Sequence, residues 1–183
     1  MPHAPTDFMF FLPYTPRSDS DARGYDDWIQ SIDNPFFNSV TGISHYSNWK
    51  VASVLKGDIP FSHFDFMFVD RDKEAQIWSN PKVAEFADGW TKSWGVDPEN
   101  PDLSINYHVY QLAHSEGPIE FKPDLVTVIY RKAGARPAAG SSWSVAKSVL
   151  GQAPCPRIDI VFGSVDDLDD ADCAFTGSLI AAP

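Results

Sequence analysis

The chain has 183 residues, a net charge of −11, 43% hydrophobic content and 14% aromatic content. That length supports one compact domain, or two small halves sharing a core. An acidic chain with no basic stripe has little with which to neutralise phosphates, so neither nucleic acid nor an anionic membrane surface is an expected partner.

In chain order, residues 7–14, DFMFFLPY, read as a buried strand that Pro13 ends. Tyr25, Trp28, Ile29 and Ile32 fall at helical spacing across 25–39, a helix that Pro35 interrupts. A half-polar strand spans 43–55, KGDIP makes a turn, and FSHFDFMFVD (61–70) is the next strand, so 43–70 form a hairpin. Residues 72–94 predict a longer helix, with Ile77, Val83, Phe86, Ala87, Trp90 and Trp94 on its apolar face. GVDPENPD (95–102) breaks it, and 103–114 predict a fourth strand. This β-α-β-β-α-β order is the split βαβ, or ferredoxin-like, pattern. It predicts an α+β fold in which an antiparallel sheet of order four-one-three-two has both helices on one face. The remaining residues read as a shortened second copy. They offer a strand over 124–134, a Ser-capped helix over 141–153, a strand from 157 followed by a short acidic helix from Ser164, and a last strand at SLIAA. A ferredoxin-like unit is thus expected over 1–116, with a shortened half over 117–183 packed on it and the loop GARPAAGSS (134–142) near a site.

The segment YDDWIQSIDNPFFNSVTGISHYSNW (25–49) resembles the first helix and second strand of EthD-like members of the dimeric α+β barrel superfamily. The matched positions are Tyr25, Asp27, Trp28, Pro35 and Gly42; the family's usual histidine falls on Asp33. VTVIYRKAG (126–134) and IDIVFGSVDDLDDA (158–171) are similar to the family's opening strand and to its third strand with the following helix. The resemblance implies two ferredoxin-like units packed sheet to sheet, each with a cleft between sheet and helices. Because the second half reads as too short for a full unit, a homodimer is expected. The family includes cofactor-free monooxygenases, polyketide cyclases, isomerases, dehydratases, decarboxylases and accessory proteins.

The P-loop, dinucleotide, G-x-S-x-G and HExxH signatures are all missing from the sequence. Cys155 and Cys173 form no CxxC pair and lack zinc-site spacing. No metal or organic cofactor is therefore expected, and the side chains themselves must supply the chemistry. So few thiols fit a cytoplasmic setting. The N-terminal MPHAPTDFMFFLPY lacks the basic stretch of a signal peptide, and no run reaches the ~18 apolar residues of a membrane span.

Of the histidines, His3 is terminal and His114 follows the fourth strand, while His45, His63 and His108 lie within strands of one sheet. Imidazole titrates near neutrality and suits proton transfer. His63 and Asp65, two apart on one strand, point the same way. On a central strand such a polar pair is costly unless satisfied. If its face lines the cleft, His63 is the expected general base with Asp65 orienting it; if it faces the barrel interior, the pair is structural. His45 and His108 are further catalytic candidates. Tyr14, Tyr46 and Tyr110 offer phenol donors, with Tyr46 on the face opposite His45 and Tyr110 on the face of His108. Asp33 is either a substrate-binding carboxylate or an Asx turn before Asn34-Pro35. Trp28 and Trp90 are core residues able to stack on an aromatic ligand, and Arg131 with Lys132 can hold a carboxylate. Taken together, these residues predict a cofactor-independent lyase, a decarboxylase or related C–C or C–O lyase, acting on a small aromatic or phenolic substrate. A cofactor-free monooxygenase, a cyclase or isomerase, and a non-catalytic binding protein are the alternatives.

Overall fold

Alternation along the first strand sets the architecture. In β1 (Phe8–Tyr14) every residue is buried, although successive side chains point to opposite faces. Met9 and Phe11 join one cluster, and Phe8, Phe10 and Leu12 join another. Both faces of the sheet must therefore be covered here. The computed structural model describes residues 4–96, 107–123, 125–132, 134–135 and 140–183.

The further strands are β2 (Ile43–Lys56), β3 (His63–Val69), β4 (Val109–Glu116), β5 (Leu125–Arg131), β6 (Ser141–Leu150), β7 (Arg157–Phe162) and β8 (Ala171–Ala181). They close a barrel in the order β1-β3-β2-β8-β5-β7-β6-β4, with every pairing antiparallel. This corrects the expected fold. The molecule is not an α+β, ferredoxin-like unit with a partial second copy that completes a barrel by dimerising; one chain closes a largely β barrel by itself.

Two segments account for the difference. Residues 141–150 form a strand rather than a helix: Trp143 fills the interior and β6 pairs on both sides, with β4 and β7. A helix there would leave two strand edges open. The acidic run 163–170 forms no helix, and β8 takes in most of the expected last strand. The second half is short because it lacks helices, not strands. His3, 97–102 of the expected break, 103–106 of the expected fourth strand and 136–139 of the expected loop lie outside the described residues.

The two halves share a pattern. Spatially, β4-β1-β3-β2 and β8-β5-β7-β6 have the same order of fourth, first, third and second strand. Register matches too: Asp65 lies opposite Leu12 and Asn48, and Asp159 lies opposite Ile129 and Ser142.

Eight strands enclose a space that side chains can fill, and here aromatic rings fill it. Phe11, Trp49, Phe64, Phe66, Trp143 and Phe175 are fully or almost fully buried. Outside, the halves differ. Over the first half run α1 (Tyr25–Trp28), a π-helical turn (Ile29–Asp33) and α2 (Asn34–Ser39), then α3 (Glu74–Trp78), α4 (Pro81–Trp90) and a second π-helical turn (Thr91–Gly95). The first π-turn precedes Pro35, which has no N–H to give; the Asn34 N–H reaches back five residues to the Ile29 carbonyl. Asn80 caps α4 by accepting from the Lys82 N–H at 3.0 Å, with Pro81 at the first helical position. Over the second half, Val165 and Leu168 of a loop pack on Ile129, Ala171 and Ala174. Among the described residues no helix is long and apolar enough to cross a membrane.

Packing is close at Gly177 on β8, where a Cβ would stand 2.4 Å from Cζ of the Phe64 ring. Gly177→Ala should lower stability by about 1–3 kcal/mol through overpacking. Adding Phe64→Leu should recover part of that loss in urea unfolding; an unperturbed Gly177→Ala protein would contradict this packing.

Candidate functional site

The outer face of β1–β3 carries polar residues beneath the helices. Tyr46 and Asn48, two apart on β2, share that face with Asp65 on β3. The first π-turn delivers Asp33 to the same place. Asp33, Asn48 and Asp65 are 5%, 0% and 4% exposed. The Tyr46 hydroxyl lies 2.9 Å from Asp33 Oδ2 and 2.8 Å from Asp65 Oδ2. Asn48 Nδ2 lies 2.9 Å from Asp33 Oδ2, 3.0 Å from Asp65 Oδ1 and 3.0 Å from the Tyr46 hydroxyl. Asn34 Nδ2 ties the helix down, donating to the Tyr46 carbonyl at 3.0 Å and to Asn48 Oδ1 at 2.9 Å.

Tyr46 has one hydroxyl hydrogen and cannot donate to both carboxylates. A proton on one carboxyl, donated to the Tyr46 oxygen, completes the set. Electrostatics agrees. Burial pushes Asp33 up to about 7, and burial followed by the Asp33 charge raises Asp65 well above the usual carboxylate range. Burial thus favours the protonated form of both carboxyls, and they titrate as a pair.

A second chain of donors runs to Tyr14. Trp90 Nε1–H donates to the Tyr25 hydroxyl at 2.8 Å, and Tyr25 donates to the Tyr14 hydroxyl at 3.2 Å. Burial raises the Tyr14, Tyr25 and Tyr46 phenols well above their ordinary value, so they remain neutral donors.

Above the pair is a cavity of about 350 Å³. Tyr14, Tyr25, Trp90 and Tyr107 line one side and Phe37, Tyr46 and Phe86 the other. Trp78 and Leu150, 42% and 52% exposed, stand at its mouth. Asp33 Oδ1 has no hydrogen-bond partner among the described residues. An apolar cavity of about 150 Å³ holds benzene, so this one suits a one- or two-ring compound.

The structure brings together Asp33, Asp65, Tyr14, Tyr46 and Trp90 from the predicted set. It also brings in Asn48, which sequence reasoning missed; the signal was its same-face spacing from Tyr46. The histidines lie elsewhere. His63 does lie on the helix-covered face, but Ser62 Oγ holds its Nδ1 at 2.9 Å and its Nε2 stands 3.8 Å from Asp26 Oδ1, while the Asp65 oxygens go to Tyr46 and Asn48. His45 faces the barrel interior, 4.3 Å from the Phe121 ring centroid. His108 lies beside Tyr110 at 5.9 Å, and Tyr110 joins the interior cluster. Trp28 stacks on Tyr25 and Phe86 outside the cavity lining. Arg131 ion-pairs with Asp159 at 2.6 Å in the other half. Among the described residues no group of three or more His, Cys, Asp or Glu side chains is placed to hold a metal ion.

No protein-family model, curated protein or solved structure matches the chain.

Two buried systems give opposite pH dependences. The carboxyl pair holds protons that the unfolded chain releases near pH 3.9, so its contribution is present in acid and lost as pH rises towards about 7. His63, lowered to about 4 by burial and then by Lys50, is neutral where the unfolded chain is protonated, so stability is lost as pH falls from about 6.5. Between pH 4.5 and 6.5 the two oppose, with a slope of at most about 1.4 kcal/mol per pH unit for each titrating group. Asp33→Asn should make urea stability climb more steeply with pH across this interval than in the unaltered protein, and His63→Gln should tilt it the other way. Parallel curves for all three proteins would contradict the assignment.

Proposed function

We propose that this protein is a cofactor-independent acid–base catalyst, a lyase acting on a small aromatic or phenolic compound, with the Asp33–Asp65 pair as its proton-transfer machinery. One observation carries the reading: two buried carboxyls, bridged by a single phenol, lie at the floor of an aromatic cavity, and in this reading they share one proton. A pair in that state contains both an acid and a base near neutral pH. In a C–O lyase step the ionised carboxyl takes a proton from carbon and the protonated one gives its proton to the departing oxygen. A C–H and a C–O bond break, a carbon–carbon double bond forms, and water leaves. Exclusion of water by the rings strengthens each of these interactions. The lining contains no Lys, Arg or His among the described residues, so nothing there holds a substrate carboxylate. That favours elimination over decarboxylation.

The test incubates the protein with a panel of phenolic and aromatic compounds, with and without O₂, and follows product mass. Loss of water or a small carbonyl compound in both atmospheres is expected. Asp33→Asn and Asp65→Asn should each lower turnover about 10²-fold or more, while His63→Gln stays within a few-fold. Turnover that requires O₂ would point to a monooxygenase, and turnover indifferent to both Asp substitutions would remove the pair from the chemistry.

A further inference from the structure

The repeated strand pattern supplies an internal comparison. Asp159 on β7 occupies the register position that Asp65 has on β3. Tyr14 ends β1 opposite His63, and Arg131 ends β5 opposite Arg157, so Tyr14 and Arg131 are equivalent as well. The second half satisfies its carboxylate with its own cation: Arg131 Nε donates to Asp159 Oδ2 and Ser142 Oγ donates to Oδ1, each at 2.6 Å. The first half gives Asp65 only neutral donors, adds a second carboxyl, Asp33, and places a cavity above them.

We propose that the ligand of this cavity carries a protonated amine, seated against the Asp33–Asp65 pair and enclosed by aromatic rings. This rests on reading the cavity as the substrate site. The donor count supports it. The protein turns few hydrogens towards the pair, and Asp33 Oδ1, on a side chain 95% buried by its 5% exposure, receives none from the described residues. An ammonium group brings three donors and no acceptor, whereas a carboxylate brings only acceptors and a like charge. The walls suit a cation equally. Tyr14, Trp90 and Tyr107 cluster with centroids 5.4–5.7 Å apart, and Phe37 packs 4.8 Å from Tyr46 across the floor. Aromatic faces attract ammonium groups, more strongly when water is excluded. The chain's net charge of −11 draws cations towards the mouth.

Titration calorimetry at pH 7 in 0.15 M salt with three probes of one shape tests this: 3-phenylpropylamine, 3-phenylpropan-1-ol and 3-phenylpropionate. The amine should bind at least about tenfold tighter than the alcohol, and the propionate at least about tenfold weaker than the alcohol. Asp33→Asn should bring amine and alcohol affinities to within about threefold of each other. Should that variant fail to fold, the wild-type series decides alone. Equal or tighter binding of the alcohol overturns the amine assignment and leaves the cavity and its catalytic reading standing. Binding by none of the three overturns both. An amine preference that Asp33→Asn leaves intact, or that vanishes in 0.5 M salt, assigns the attraction to the acidic surface and overturns the proposal.

Discussion

Closure of the sheet is the constraint from which the rest follows. β2 meets β8 and β4 meets β6 at two seams that join the halves, and the sheet has no free edge among its strands. A closed eight-stranded wall has an inside that must be packed. Phenylalanine and tryptophan occupy it, and polar groups with work to do are left to the outside. Outside, only the first half has helices to shelter them. A buried carboxyl pair with a cavity above it therefore has one natural location, between β1–β3 and the helices.

Much of this was legible in the sequence. The buried apolar run of 7–14, the two faces of 61–70 and the helical spacing in 25–39 and 72–94 mark strands and helical segments that the structure contains, although 72–94 is broken before Pro81 into α3 and α4 rather than forming one longer helix. What misled was SSWSVAKSVL. Its serine at the start reads as a helix cap, and its apolar residues fit either period over so short a run. Only the presence of strands on both sides makes it β, and that is tertiary information. At the site, alternation correctly separated Tyr46 from His45 but could not name partners. It set His63 beside Asp65, whereas in three dimensions the partner of Asp65 is Asp33, distant in sequence and carried in by a helix. The histidines drew attention because imidazole titrates near neutrality; burial brings a carboxyl into the same range, which composition alone does not reveal.

The two halves show how one backbone plan supports opposite electrostatics. At matching register, Asp159 is neutralised by Arg131 and hydrogen-bonded by Ser142, while Asp65 is linked to Asp33 through the Tyr46 hydroxyl. The first arrangement is a closed structural ion pair. The second keeps a carboxyl in a state that a ligand can change. The difference lies in what covers the strands: a loop with Val165 and Leu168 in one half, aromatic helices in the other.

The π-turn at Ile29–Asp33 bears on the ancestry of the site. Such a turn holds one residue more than an α-helical turn, here by the long reach from Asn34 N–H to the Ile29 carbonyl. Loss of a single codon within Gln30–Ile32 would let the helix close as an ordinary one. It would also swing everything on one side of the gap by about 100° relative to the other, so that Tyr25 and Asp33 could not both meet the sheet. A lineage can therefore gain or lose this carboxyl pair by a one-residue insertion or deletion, with Asp33, Asp65 and Tyr46 all retained. Relatives that keep every residue of the site but lack that one position would share the barrel without its buried carboxyl pair.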